Sequence, residues 1–243
     1  MLHSLFNSKR SSKEERPKCH LILERWNEYY KFLSKKNKDI FITRVLYFLE
    51  NIKIDSTAQV KMNRNKEYLI ASAFVQLTFG FNRYRLRSFD KIFVRHKPYT
   101  YEGVGLPYYG DTNPKTGSIN MVWKIIKKGF EINDDSLNLA IHEFAHALVL
   151  DNKQRMPLRK FFPHKKLILY LLASKKEMHR IRRNEPSIFR GYGATNLMEF
   201  FAVSVEVFFE QPHRFSSNNP LLFERLSLLL KQDPRKVEHP PHL

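Results

Sequence analysis

Apolar positions are spaced as helices in the first third of this chain, alternate over short runs in the middle, and become nearly continuous in two later stretches. Leu21, Trp26, Tyr29, Tyr30 and Leu33 recur as one face of an amphipathic helix would. Lys35 to Lys38 reads as a basic turn, and residues 40–52 as a second helix. Residues 67–79 are mostly apolar, with Ala71, Ser72 and Ala73 permitting close helix contact and Gly80 marking the end. The period then shortens. KIFVR (91–95) and SINMVW (118–123) read as strands, and the Gly-, Pro- and Tyr-rich run between them reads as turns, densest from Gly110 to Gly117. The second strand suits an exposed edge that an extended peptide could join, and equally a strand paired on both sides.

The two continuous stretches carry the chemistry. LNLAIHEFAHALVL (137–150) has no Gly or Pro, and Asn133, Asp134, Asp135 and Ser136 offer N-cap side chains before it, so it reads as a buried helix. Residues four apart share a helix face, so His142 and His146 can aim at one point with Glu143 beside them. That is the geometry of two ligands on one metal ion with a neighbouring base. Burying three ionisable groups in an apolar helix is costly without a partner, and a cation supplies one.

A catalytic zinc takes three protein ligands and leaves one position open. Asp151 follows His146 too closely to fold back easily, and Glu177 and Glu185 lie among basic residues. Glu199 fits better. The run LMEFFAVSVEVFF (197–209) is apolar nearly all round and is interrupted only by Glu199 and Glu206, seven residues apart on one face. Zinc would satisfy Glu199, and Glu206 could then orient a ligand histidine through its second ring nitrogen. The alternative pairs both glutamates with buried arginines.

Composition narrows the function classes. A chain of 243 residues with 42% hydrophobic content is ordered and large enough for one sizeable core. We divide it into a flexible N-terminal segment, 1–20, and one domain, 21–243. The net charge of +18 invites a nucleic-acid or acidic-membrane partner, but no zinc-finger spacing or RNA-recognition signature accompanies it, so nucleic acid is set aside. Residues 153–183 hold eleven Lys or Arg and one acid, Glu177, which suggests a solvated basic helix face. An electropositive rim that draws carboxylate-bearing ligands is the functional alternative. The single cysteine, Cys19, excludes an internal disulfide and a thiolate metal cluster. With no secretory apolar run at the start and no run long enough to span a bilayer, a cytoplasmic location is expected.

NLAIHEFAHAL (138–148), followed after a long gap by GYGATNLMEFFAVSVEVFFEQP (191–212), resembles the Mlc titration factor A family of zinc peptidases. It is similar, more distantly, to the catalytic domain of anthrax lethal factor. The likeness runs from about Tyr68 onward. It implies a mainly helical α+β fold, a zincin-like single domain with a small sheet beside the metal-binding helix. It also implies one zinc ion per chain held by His142, His146 and Glu199, with Glu143 as general base and Tyr192 as transition-state donor. Asn138 and Glu206 match supporting positions. The implied activity is peptide-bond hydrolysis, aminopeptidase-like on short peptides. A regulatory module that binds a protein partner, with little or no peptidase activity, is the alternative. In one departure, an aspartate expected in the pattern H-x-L-D is displaced here to Asp151.

Overall fold

The computed structural model describes residues 2–101, 103, 105–155 and 160–236. The first helix, α1 (Leu2–Trp26), runs straight through the position where the sequence pattern placed the start of the domain. Its later turns are docked. Cys19 and Leu23 are fully buried, and the Arg64 guanidinium donates to both Glu15 carboxylate oxygens at 2.6 and 2.9 Å. Asn27 interrupts the expected amphipathic helix. Its side chain accepts from the Tyr30 amide at 2.8 Å and so caps a short second helix, α2 (Glu28–Lys31). Ser34 caps α3 (Lys35–Asn51), so the four residues expected to form a basic turn are its first turn.

After β1 (Lys53–Ser56), helix α4 (Arg64–Thr78) buries every side chain from Tyr68 onward. It ends near Gly80, as expected, but not through a left-handed cap, because Gly80 has no positive φ. A Cβ at Gly80 would collide with the carbonyl oxygens of Leu230 and Lys231, so glycine is needed where the C-terminal chain crosses the helix end.

Strands β2 (Lys91–Arg95), β3 (Gly110–Asn113) and β4 (Ser118–Val122) complete a four-stranded sheet in the order β1-β2-β4-β3. β1, β2 and β4 run parallel, and β3 is antiparallel to β4. β2 lies where the alternation put it, with Ile92 and Val94 buried. β4 is paired on both sides, which overturns the exposed-edge reading of that strand. The edge is β3. Its residues, Gly-Asp-Thr-Asn, read as turn formers, yet they pair residue by residue with β4 across a tight turn closed by Gly117 at φ +65°.

Helix α5 (Trp123–Glu131) leads to α6 (Leu139–Gln154), the helix expected from the apolar run. Its N-cap is Asn138, whose side chain accepts from the Ile141 amide at 3.2 Å, rather than the cluster at 133–136. On α7 (His164–Arg182), Lys165, Lys175 and Lys176 are exposed, as a solvated basic face requires. Glu177, grouped from sequence with exposed residues, is buried on the inner side and accepts from Arg180, Ser187 and Asn219 at 3.0, 2.8 and 2.9 Å. The chain closes with α8 (Leu197–Glu210), α9 (Pro212–Asn218) and α10 (Pro220–Leu230).

The result is a mainly helical α+β domain whose core is built on α4, α6 and α8. Phe144 of α6 points into it, its ring 5.7 Å from that of Phe48 and 5.4 Å from that of Phe74. Among the described residues, no helix is long and apolar enough to cross a membrane.

Candidate metal centre

Helix α6 places His142 and His146 one turn apart on the side that meets α8. Asn196 caps α8 by accepting from the Met198 and Glu199 amides at 2.9 and 3.0 Å, which sets Glu199 in the first turn. The three side chains converge. The two Nε2 atoms are 3.0 Å apart, and Glu199 Oε2 lies 3.2 Å from His142 Nε2 and 3.3 Å from His146 Nε2. Four ligands at tetrahedral zinc distances have edges of about 3.3 Å. The three donor atoms therefore fit one face of a zinc-sized tetrahedron. They are the one group of three potential ligands of this kind among the described residues.

The opposite ring nitrogen of His142 is anchored. Nδ1 lies 3.1 Å from Glu206 Oε2 and donates to it, which leaves the Nε2 lone pair for a metal. Glu206 also accepts from the Asn138 amide at 3.0 Å and from Arg190 Nη2 at 2.5 Å. Arg190 is held in turn by the Ser136 carbonyl at 2.9 Å. The two readings of the buried glutamates thus divide: Glu206 has an arginine, whereas Glu199 faces two imidazoles. Arg190 carried no sequence signal beyond the general need of a buried carboxylate for a counter-charge. His146 lacks such support, for its Nδ1 has no hydrogen-bond partner among the described residues.

Burial opposes charge on His142, but hydrogen bonds to Glu199 and Glu206 outweigh it and raise its pKa to about 10. Burial would raise the Glu199 pKa, yet hydrogen bonds from the two histidines hold it well below the carboxylate range. The carboxylates of Glu199 and Glu206 thus favour positive charge at His142.

Glu143 turns the other way, toward the sheet. It is 4% exposed, and Thr112 Oγ1 donates to its Oε2 at 2.9 Å, also lying 3.1 Å from its backbone carbonyl. A Cβ at Gly110 would come within 2.6 Å of Glu143 Oε1, so glycine in β3 makes room for the carboxylate. Burial raises the Glu143 pKa; charge on His142 and His146 and the Thr112 hydrogen bond oppose it without cancelling it. Sequence reading missed both Gly110 and Thr112.

Tyr192 lies in a 3-10 turn, Gly191–Ala194, with its ring 6.4 Å from that of His142 and 56% of the residue exposed. Desolvation and the adjacent Glu199 carboxylate push its pKa up to about 12, so the phenol keeps its proton as a donor. Asp151 stays away from the histidines. It accepts from the Arg87 and Ser88 amides at 2.8 Å each and from Arg155 Nε at 2.6 Å, tying the loop before β2 to α6.

The sequence matches the family model of the glucose-regulated metallo-peptidase M90 family over residues 5–231. The chain belongs to that family. The match takes in the leading helices that the motif resemblance left out. Among similar proteins, Mlc titration factor A of Escherichia coli is 24% identical over 85% of this chain and 83% of its own length. Mlc titration factor A of Salmonella arizonae is 32% identical over 49% of each chain. An uncharacterized protein of Synechocystis sp. is 28% identical over 48% of this chain, which spans 44% of that relative's length. In this metallo-peptidase family member, His142, His146 and Glu199 are the residues whose donor set suits a metal cofactor.

Proposed function

We propose that this chain is a zinc-dependent peptidase that hydrolyses peptide bonds. The observation that carries the reading is the convergence of three donor atoms within 3.0–3.3 Å, beside a buried carboxylate that none of them engages. His142, His146 and Glu199 would hold one zinc ion. When bound there, such a cation supplies Lewis-acid polarisation and makes water acidic near neutral pH. Glu143 accepts the proton of the attacking water and returns it to the leaving amine. A carboxyl whose pKa is raised by burial suits both transfers, since it must also give the proton back. Tyr192 donates to the oxygen that gains negative charge. Glu206, Asn138 and Arg190 act through His142, fixing its ring.

The unpaired side of β3 offers main-chain groups to an extended peptide. Action on short peptides from their amino ends is what the family resemblance implies, and a cytoplasmic setting is the expectation drawn from the sequence. The name of the relatives, Mlc titration factor A, favours a second reading, a module that binds a protein regulator with little or no peptidase activity.

Mass-spectrometric profiling of a peptide library, with zinc-loaded protein, chelator-treated protein and Glu143→Gln, separates the two. Cleavage abolished by the chelator and by the substitution supports the peptidase, and product lengths distinguish aminopeptidase from endopeptidase action. A zinc-loaded protein that leaves the library intact overturns it.

A further inference from the structure

Helix α7 packs one side against the domain and leaves the other uncovered. Tyr170, Glu177 and Met178 are buried, whereas Lys165, Ile168, Leu172, Lys175, Lys176 and His179 are exposed. Their three- and four-residue spacing sets the exposed residues in one stripe along the helix. Ile168 is 43% exposed and Leu172 59%, one turn apart, with lysines a turn away on either side. No acid lies in the stripe, because the one acid of residues 153–183, Glu177, is turned inward. Among the described residues, the ion pairs of this helix are confined to its C-terminal end, where Arg180 meets Glu177 and Glu185, and Arg183 meets Glu185. The stripe therefore keeps its positive charge, on a chain whose net charge is +18.

Cations alone need only water, and a lone exposed leucine is ordinary. Two aliphatic side chains set together within a basic stripe call for a different complement. A nucleic-acid backbone would meet the lysines but offers Ile168 and Leu172 no apolar surface. An acidic protein would need a matching apolar pocket for each aliphatic. A bilayer of acidic lipids meets both demands anywhere on its surface, with phosphates outermost and acyl chains beneath.

We propose that the outer face of α7 docks this protein on an anionic membrane surface. Ile168 and Leu172 enter the boundary between headgroups and acyl chains. Lys165, Lys175 and Lys176 lay their stems along apolar surface and keep their ammonium groups at the phosphates. The attachment is peripheral, since no described helix is long and apolar enough to cross the bilayer. It requires neither a bound metal nor peptidase activity.

Flotation of the full chain with vesicles of phosphatidylcholine, alone or mixed with phosphatidylglycerol, tests the docking. Binding should appear only with the anionic lipid and should weaken as salt is raised. Lys175→Gln with Lys176→Gln should weaken it about 25-fold, at about fivefold per lysine. Lys35→Gln with Lys36→Gln removes the same charge from exposed positions on α3 and should have little effect. Ile168→Ser with Leu172→Ser leaves the charge intact and should weaken binding about tenfold. All six positions are exposed, so each variant should keep the parent's melting temperature. Failure of the parent protein to float with the anionic vesicles overturns the proposal. Equal losses from the α3 and α7 lysine pairs also overturn it, because they would mean diffuse charge attraction. So does full binding by Ile168→Ser with Leu172→Ser, which would mean a face that reads charge alone.

Discussion

The candidate centre lies between two unlike walls. On one side α8 is apolar and buried, and its two inward carboxylates meet the histidines, Glu199 at their Nε2 atoms and Glu206 at His142 Nδ1. On the other side β3 is a four-residue edge strand of small and polar residues, and it meets Glu143 through Thr112 and the space at Gly110. On the proposed reading, the helical wall would shape where a metal sits, and the sheet wall where a proton goes. The difference implies that metal affinity and proton transfer can be damaged separately, although His142 and Glu143 are adjacent in sequence.

The sharpest way to break that division is Glu199→Ala. With one of three ligands gone, zinc should no longer stay bound through gel filtration and turnover should vanish with it; full zinc content by mass spectrometry would remove Glu199 from the ligand set. Glu143→Gln should lower kcat by about 10²- to 10⁴-fold, the usual range for a lost general base, while zinc remains stoichiometric. A variant that loses both would show that the walls are not independent. Glu206→Gln should weaken zinc by about 10- to 100-fold in a competition titration with a chromophoric chelator, because His142 loses its orienting partner. An affinity equal to that of the parent would reduce Glu206 to a partner of Arg190. Tyr192→Phe should lower kcat by about tenfold with zinc affinity unchanged; a fully buried oxyanion donor costs more, and Tyr192 is 56% exposed.

The same contrast explains what the sequence disclosed. In α6 and α8 the local pattern and the buried environment agree: apolar positions on almost every side leave the histidines and glutamates conspicuous, and seven-residue spacing puts Glu199 and Glu206 on one face. β3 has no such consistency. Gly-Asp-Thr-Asn has turn-forming residues and low strand propensity, and it becomes a strand only because β4 lies alongside it, so the role of Thr112 was invisible. Arg190 was hidden for a related reason. A charged residue just outside a helix looks like surface until its carboxylate partner, 16 positions away, is seen beside it. Glu177 failed in the opposite sense, since basic neighbours in sequence suggested exposure whereas α7 turns that position inward.

The smallest expected effect tests the sheet wall alone. Thr112 donates to the Glu143 carboxylate, and a hydrogen bond to the charged form favours that form, so this contact keeps the Glu143 pKa lower than burial alone would set it. Thr112→Val preserves shape and removes the donor, so the pKa should rise. Glu143 acts as a base only when ionised, and activity falls as pH drops through its pKa. The acid limb of the kcat/KM profile should therefore move to higher pH. Activity should be reduced mainly on the acid side, with zinc affinity unaltered, and Thr112→Ser should restore the parent profile. A uniform loss across pH would mean that Thr112 positions Glu143 rather than tuning its ionisation. A change in zinc affinity would mean that β3 reaches the ligands after all.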